Sequence, residues 1–163
     1  MDPKTLWTRF RSSPLCEGLT DPEAEGLFAL CEQRHVVASN RLFAEGAPAD
    51  SLWLVLIGDV EISRAGKVLA EVGPGSVLGE LSLFRAAPLR SATVTALCDC
   101  DLLRLPTAQF QKRLKQGDLA ALKMVSNLAH QMADRLAAVN DQLISGGRHG
   151  LTVARTHLRR VVG

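Results

Sequence analysis

The stretch Gly79-Glu80-Leu81-Ser82-Leu83-Phe84-Arg85-Ala86-Ala87-Pro88-Leu89-Arg90-Ser91-Ala92-Thr93-Val94 gathers several binding groups into one loop. Gly79 lets the backbone pass close to a ligand. Glu80 opens a predicted short helical turn through Leu81-Ser82-Leu83-Phe84, whose first amides lack internal partners and suit an anion. Ala86-Ala87-Pro88 breaks the turn, and Arg90-Ser91 lead into a strand at Ala92-Thr93-Val94. A guanidinium holds two phosphate oxygens at once. A carboxylate beside a phosphate repels it, unless it faces hydroxyl donors such as those of a sugar. A sugar phosphate is thus the ligand that uses the amides, Glu80, Arg90 and Ser91 together. The plainer alternative is a barrel turn carrying a solvated Glu–Arg pair.

On both sides of this loop the pattern is one of short strands. Apolar runs at 52–57, 60–63, 68–72 and 76–78 are punctuated by Gly58, Gly66, Gly73-Pro74-Gly75 and Gly79. Further strand patterns run over 91–97 and 101–105. Many short strands separated by turns predict an antiparallel sandwich or barrel over 39–106. Residues 1–38 read instead as short helices, through Leu6, Trp7 and Phe10 and then Leu27, Phe28, Leu30 and Cys31. Thr20 or Asp21 is the predicted cap of the second, with Pro22 in its first turn. From Thr107 to Gly147 the pattern is helical again, with Phe110 and Leu114 on one face. Asp118 caps a long helix to about Leu143, which Gly146-Gly147 ends. In that helix Leu122, Val125, Ala129, Met132, Leu136, Val139 and Leu143 are spaced alternately by 3 and 4, a heptad seam. The predicted fold is α+β: an antiparallel β-roll or jelly-roll barrel flanked by N-terminal helices and a long C-terminal helix.

The loop resembles the phosphate-binding cassette of the cyclic nucleotide-binding domain family, of the catabolite-activator and protein kinase A regulatory-subunit type. The family pattern is met by Gly79, Glu80, Leu81, Leu83, Arg90, Ser91, Ala92, Thr93 and Val94, with the step of ten from Glu80 to Arg90 of the catabolite-activator type. Phe43-Ala44-Glu45-Gly46, residues 52–58 and Gly73-Pro74-Gly75 resemble three further family turns, so the likeness runs over about residues 20–143. It implies that Glu80 accepts the ribose 2′-hydroxyl near the Gly79 amide. Arg90 would pair with the cyclic phosphate, Ser91 would add a hydroxyl and an amide, and the amides of Leu81 and Ser82 would complete the cradle. Leu83 and Phe84 would be the apolar coupling to the long helix. Alignment of Gln131–Leu136 with the family's run places Val139 and Asn140 over the base. Asn140 carries a donor and an acceptor suited to an adenine edge, and a solvated Asn is the alternative. A hydroxyl at Ser91 fits guanine in the syn form and also occurs in cAMP receptors; cAMP is favoured over cGMP. The seam is similar to that family's dimer helix, and packing onto its own barrel is the alternative.

These features imply a cytoplasmic cyclic nucleotide receptor that moves its C-terminal helix and acts on an effector protein in trans, with a homodimer through residues 118–143. The alternatives are a truncated catabolite-activator-like transcription regulator and a ligand-free interaction module. Other classes find little support. The 163 residues suit one domain with appendages. Hydrophobic residues at 47% and charged residues at 22% are ordinary globular values that argue against disorder. No apolar run of about 18 residues predicts a membrane span, and the N-terminus has no secretory h-region. Four cysteines are too few for a disulfide scaffold, which fits a reducing compartment. The basic tail, residues 148–163, carries Arg148, Arg155, Arg159 and Arg160 and no acid; subtracting these from a net charge of +2 leaves −2 for 1–147. Direct DNA binding by that body is not expected. Gly73 to Gly79 spells G-x-G-x-x-x-G among strands, which is not a dinucleotide loop. His35, His130, His149 and His157 lie outside the barrel region and Cys98-Asp99-Cys100 reads as alternating strand positions, so no metal is expected. No nucleophile signature points to an enzyme.

Overall fold

The computed structural model describes residues 1–85 and 88–145. Within them the chain folds as two compact units, one formed by Cys31–Ala108 and the other by Asp2–Leu30 together with the chain from Gln109.

The first unit is a pair of four-stranded antiparallel sheets. The strands are β1 (Glu32–Val36), β2 (Arg41–Phe43), β3 (Ser51–Ile57), β4 (Val60–Arg64), β5 (Lys67–Val72), β6 (Val77–Leu78), β7 (Thr93–Ala96) and β8 (Cys100–Pro106). One sheet has the order β1-β8-β3-β6 and the other β2-β7-β4-β5. This is the jelly-roll that the turn spacing predicts. Side chains alternate across a strand, so β3 and β8 each bury two rows. Val55 and Leu102 join Val60, Leu78, Val94, Ala96 and Cys100 in the core of the roll. Leu52, Leu54, Leu56, Leu103 and Leu105 are buried on the opposite face.

Strand β1 falls inside the stretch that the apolar pattern assigns to helices. It is an edge strand paired only with β8, and three of its five residues are exposed. Glu-Gln-Arg-His-Val therefore lacks the apolar alternation that marks a half-buried strand.

The second unit is helical. Helix α1 (Pro3–Arg11) is capped by Asp2, whose carboxylate accepts the Thr5 N–H at 3.0 Å. Helix α2 (Asp21–Phe28) has the reciprocal cap of Thr20 and Glu23, with Pro22 in the first turn. Helix α3 (Thr107–Lys115) follows β8 directly and contains the boundary between the units. Helix α4 (Leu119–Ser145) is capped by Asp118, which accepts the Ala120 and Ala121 N–H groups at 2.9 and 3.2 Å. Asn127 of α4 donates to the carbonyls of Leu15 and Glu17, and Lys123 pairs with Glu23 at 2.8 Å.

The buried face of α4 is not its heptad seam. Ala120, Ala121, Met124 and Leu128 are buried, while Leu122, Leu136, Val139 and Leu143 are 48%, 63%, 50% and 73% exposed. Val125 and Met132 are half-buried and Ala129 is exposed. The helix thus carries two apolar stripes, and the seam is the open one. The predicted stop at Gly146-Gly147 and the basic tail lie outside the described residues.

Candidate functional site

Strand β6 ends at Leu78, and Gly79 turns the chain with a φ of 73°. A 3-10 turn, Glu80–Leu83, follows. Its amides are partly engaged: Ser82 N–H donates to Gly79 O at 3.1 Å, and Phe84 N–H to Leu81 O at 3.2 Å. The buried Ser82 hydroxyl lies 3.2 Å from that of Thr107. Both groups of Ser82 are thus committed to the fold in this structure, unlike the free cradle amide that the resemblance implies. Glu80, Leu81 and Leu83 are half-buried, and Phe84 is exposed.

The chain returns at Pro88-Leu89-Arg90 along the loop between β2 and β3. Arg90 N–H donates to Ala47 O at 2.8 Å, and Arg90 O accepts from Gly46 N–H at 2.9 Å. This pins the backbone and sends the side chain inward. Arg90 is 5% exposed.

Ser51, the first residue of β3, holds the guanidinium end-on. Its carbonyl accepts from Nη1 at 2.9 Å and its hydroxyl accepts from Nη2 at 3.0 Å. The Phe43 ring centroid lies 4.1 Å from the Arg90 Cζ, a cation–π contact. Asp50 Oδ1 stands 3.7 Å from Nη2. Nε–H is buried and has no hydrogen-bond partner among the described residues. Burial lowers the Arg90 pKa, Asp50 opposes this, and neighbouring Arg104 adds to the lowering. A guanidinium nevertheless stays charged at any ordinary pH. The result is a buried cation whose Nε–H is unpaired among the described residues.

Gly79 serves this arrangement directly. A Cβ there would lie 2.2 Å from Arg90 Nη1 and 3.0 Å from Ser51 O. The close approach that the glycine permits in this structure is to the arginine. Ser91 is exposed at the start of the next turn. Asn140 is exposed on α4, in the other unit. Pattern reading missed Ser51, Asp50 and Arg104. The one available signal was a polar residue opening the most apolar strand, where Ser51 turns out 1% exposed.

A model of the cyclic nucleotide-binding domain matches residues 33–117, just over half of the chain. The chain belongs to the cyclic nucleotide-binding domain family. It is 37% identical over 123 residues to glutaminase 2 of Bradyrhizobium diazoefficiens, covering 75% of this chain and 19% of that protein. The chain therefore spans about a fifth of that relative's length. Among solved structures it resembles the regulatory domain of Toxoplasma gondii PKA with cAMP: TM-score 0.60, 30% identity, 69% of this chain and 45% of that one. A cyclic nucleotide-binding domain from Methylobacillus flagellatus shares the fold with a TM-score of 0.75 at 21% identity, over 91% of this chain and 86% of that one. The family is a regulatory one. Residues 79–92 lie between β6 and β7.

Proposed function

We propose that this chain is a receptor for a cyclic mononucleotide, with cAMP favoured and cGMP the second choice. The observation that carries the reading is the Arg90 guanidinium, 5% exposed with a buried Nε–H that has no partner among the described residues. An unsatisfied donor on a buried charge is costly, and native structures rarely keep one without a purpose. A phosphate reaching the Nε and Nη2 edge satisfies that donor and neutralises the charge, leaving Ser51 in place.

The other cassette groups take their roles around this contact. Glu80 accepts the ribose 2′-hydroxyl, the Gly79 and Leu81 amides face the sugar phosphate, and Ser91 adds a hydroxyl. Ser82 positions the turn through Thr107 instead of contacting the ligand. Asn140 of α4 reads the base. No bond is made or broken, and the work done is binding. Ligand shifts the balance between two arrangements of the cassette and of α4, through Leu83 and Phe84, by its differential affinity for them. A homodimer through the seam of α4 and an effector protein in trans carry the signal onward, in the cytoplasm.

Isothermal titration with cAMP and cGMP tests the reading. Both bind, cAMP more tightly, and Arg90→Ala weakens cAMP by about 2–4 kcal/mol. Equal affinity of wild type and variant would show that the phosphate goes elsewhere.

A further inference from the structure

One carboxylate near the site is shared by two cations, and the sharing is unequal. Arg104 of β8 stands opposite Glu32 of β1 and Trp53 of β3 in the sheet register. Its Nη1 lies 3.2 Å from Glu32 Oε2, and its Nη2 lies 2.8 Å from Asp50 Oδ2. Glu32 is shared in turn with Arg34. The other oxygen of Asp50 accepts the Ser51 hydroxyl at 2.9 Å and stays 3.7 Å from Arg90 Nη2. A charge-assisted N–H···O bond spans about 2.7–2.9 Å. Asp50 thus bonds Arg104 directly and touches Arg90 only through space.

We propose that Arg104 is a positioning residue for the anion site: by holding Asp50, it keeps that carboxylate off Arg90. The inference rests on the reading of Arg90 as the phosphate-binding group. The Asp50 side chain is 70% exposed, so packing does not fix it, whereas the Arg104 side chain is 20% exposed and anchored at both ends. Without Arg104 the nearest cation to Asp50 is Arg90, whose side chain is 3% exposed. A carboxylate drawn onto Nη2 takes one of the two donors that a phosphate needs. It also supplies, at no entropic cost of association, the negative charge that the ligand would bring. The sign follows: losing a positive residue that touches no ligand weakens anion binding, and losing Asp50 as well restores it.

A crystal structure of ligand-free Arg104→Met and calorimetry of cAMP across a set of variants test this, with thermal melts reporting that each variant folds. Arg104→Met is expected to bring Asp50 within hydrogen-bond distance of Arg90 and to weaken cAMP roughly five-fold. Arg104→Met with Asp50→Asn recovers wild-type affinity, a rescue that a purely structural role for Arg104 does not give. Arg104→Lys, which keeps a charge beside Asp50, stays near wild type, and so does Glu32→Gln, which removes only the other partner. Should Arg104→Met fail to fold, the Arg104→Lys and Asp50→Asn single variants decide: the latter binds cAMP at least as tightly as wild type. Asp50 staying off Arg90 in Arg104→Met, or an absent rescue, overturns the proposal even if wild type binds cAMP. If wild type binds no cyclic nucleotide, the functional reading falls, and the position of Asp50 in the variant crystal alone decides the charge partition.

Discussion

Arg90 is held by contacts that suit its shape better than they balance its charge. A carbonyl, a hydroxyl and an aromatic face surround it, while Asp50 Oδ1 stands 3.7 Å from Nη2. On the proposed reading, Ser51 and Phe43 hold the guanidinium in place before a phosphate arrives. Gly79 is part of the same device. Gly79→Ala puts a side chain at a φ of 73° and a Cβ 2.2 Å from Nη1. It is expected to cost at least about 1–2 kcal/mol in urea unfolding, from the left-handed backbone alone, and to weaken cAMP by displacing the guanidinium. Gly79 and Arg90, which the structure brings together, were legible because they lie in one contiguous stretch of sequence. Ser51, Asp50 and Arg104 were not, since they reach the site through strand pairing from positions 39, 40 and 14 residues away from Arg90. A second residue-scale expectation concerns Cys100. Burial is the main cause pushing its thiol up to about 11. The folded state favours the neutral thiol, so this contribution is whole below the pKa of about 8.5 of an unfolded thiol. It is lost as pH rises from there toward 11. Stability measured by denaturant between these pH values should fall less in Cys100→Ala than in wild type.

The turn joining β4 and β5 shows how one element accepts strain to aim another. Ala65 and Gly66 both have positive φ, 49° and 75°, as a two-residue I′ hairpin demands. Glu45 steadies it by accepting the Ala65 N–H at 3.0 Å, and its own N–H donates to the Thr93 hydroxyl at 2.9 Å. Asn tolerates the left-handed region better than Ala. Ala65→Asn should therefore raise unfolding free energy by about 0.5–1 kcal/mol in urea denaturation, with cAMP affinity unchanged. Strands that carry an apolar run were readable: β3, β4, β5 and β8 lie within a residue or so of the runs. Strands β1 and β2 were not, because Glu32–Val36 is almost wholly polar and Arg41–Phe43 is only three residues long. In α4 the heptad spacing was real, yet it marked the open stripe. The packed stripe uses small residues, Ala120 and Ala121, alongside Met124 and Leu128.

At the scale of the whole molecule, an open seam on a regulatory domain asks for a second copy. Four seam residues are at least 48% exposed, and a helix with such a stripe is stable when covered. Sedimentation equilibrium is expected to give a dimer, and Leu136→Glu with Leu143→Glu a monomer that still folds, because neither residue is buried. A monomeric wild type would remove the dimer and leave the receptor reading standing. The chain matches about a fifth of its glutaminase relative, so the matching segment there sits within a far longer protein. All of this turns on whether an anion reaches the buried Arg90 Nε–H, which is unpaired among the described residues. A crystal structure of the chain soaked with cAMP measures it directly. A phosphate oxygen within about 3 Å of Arg90 Nε, with Ser51 still on Nη1 and Nη2, is the result expected. Full ligand density with Nε still unpaired would contradict the account.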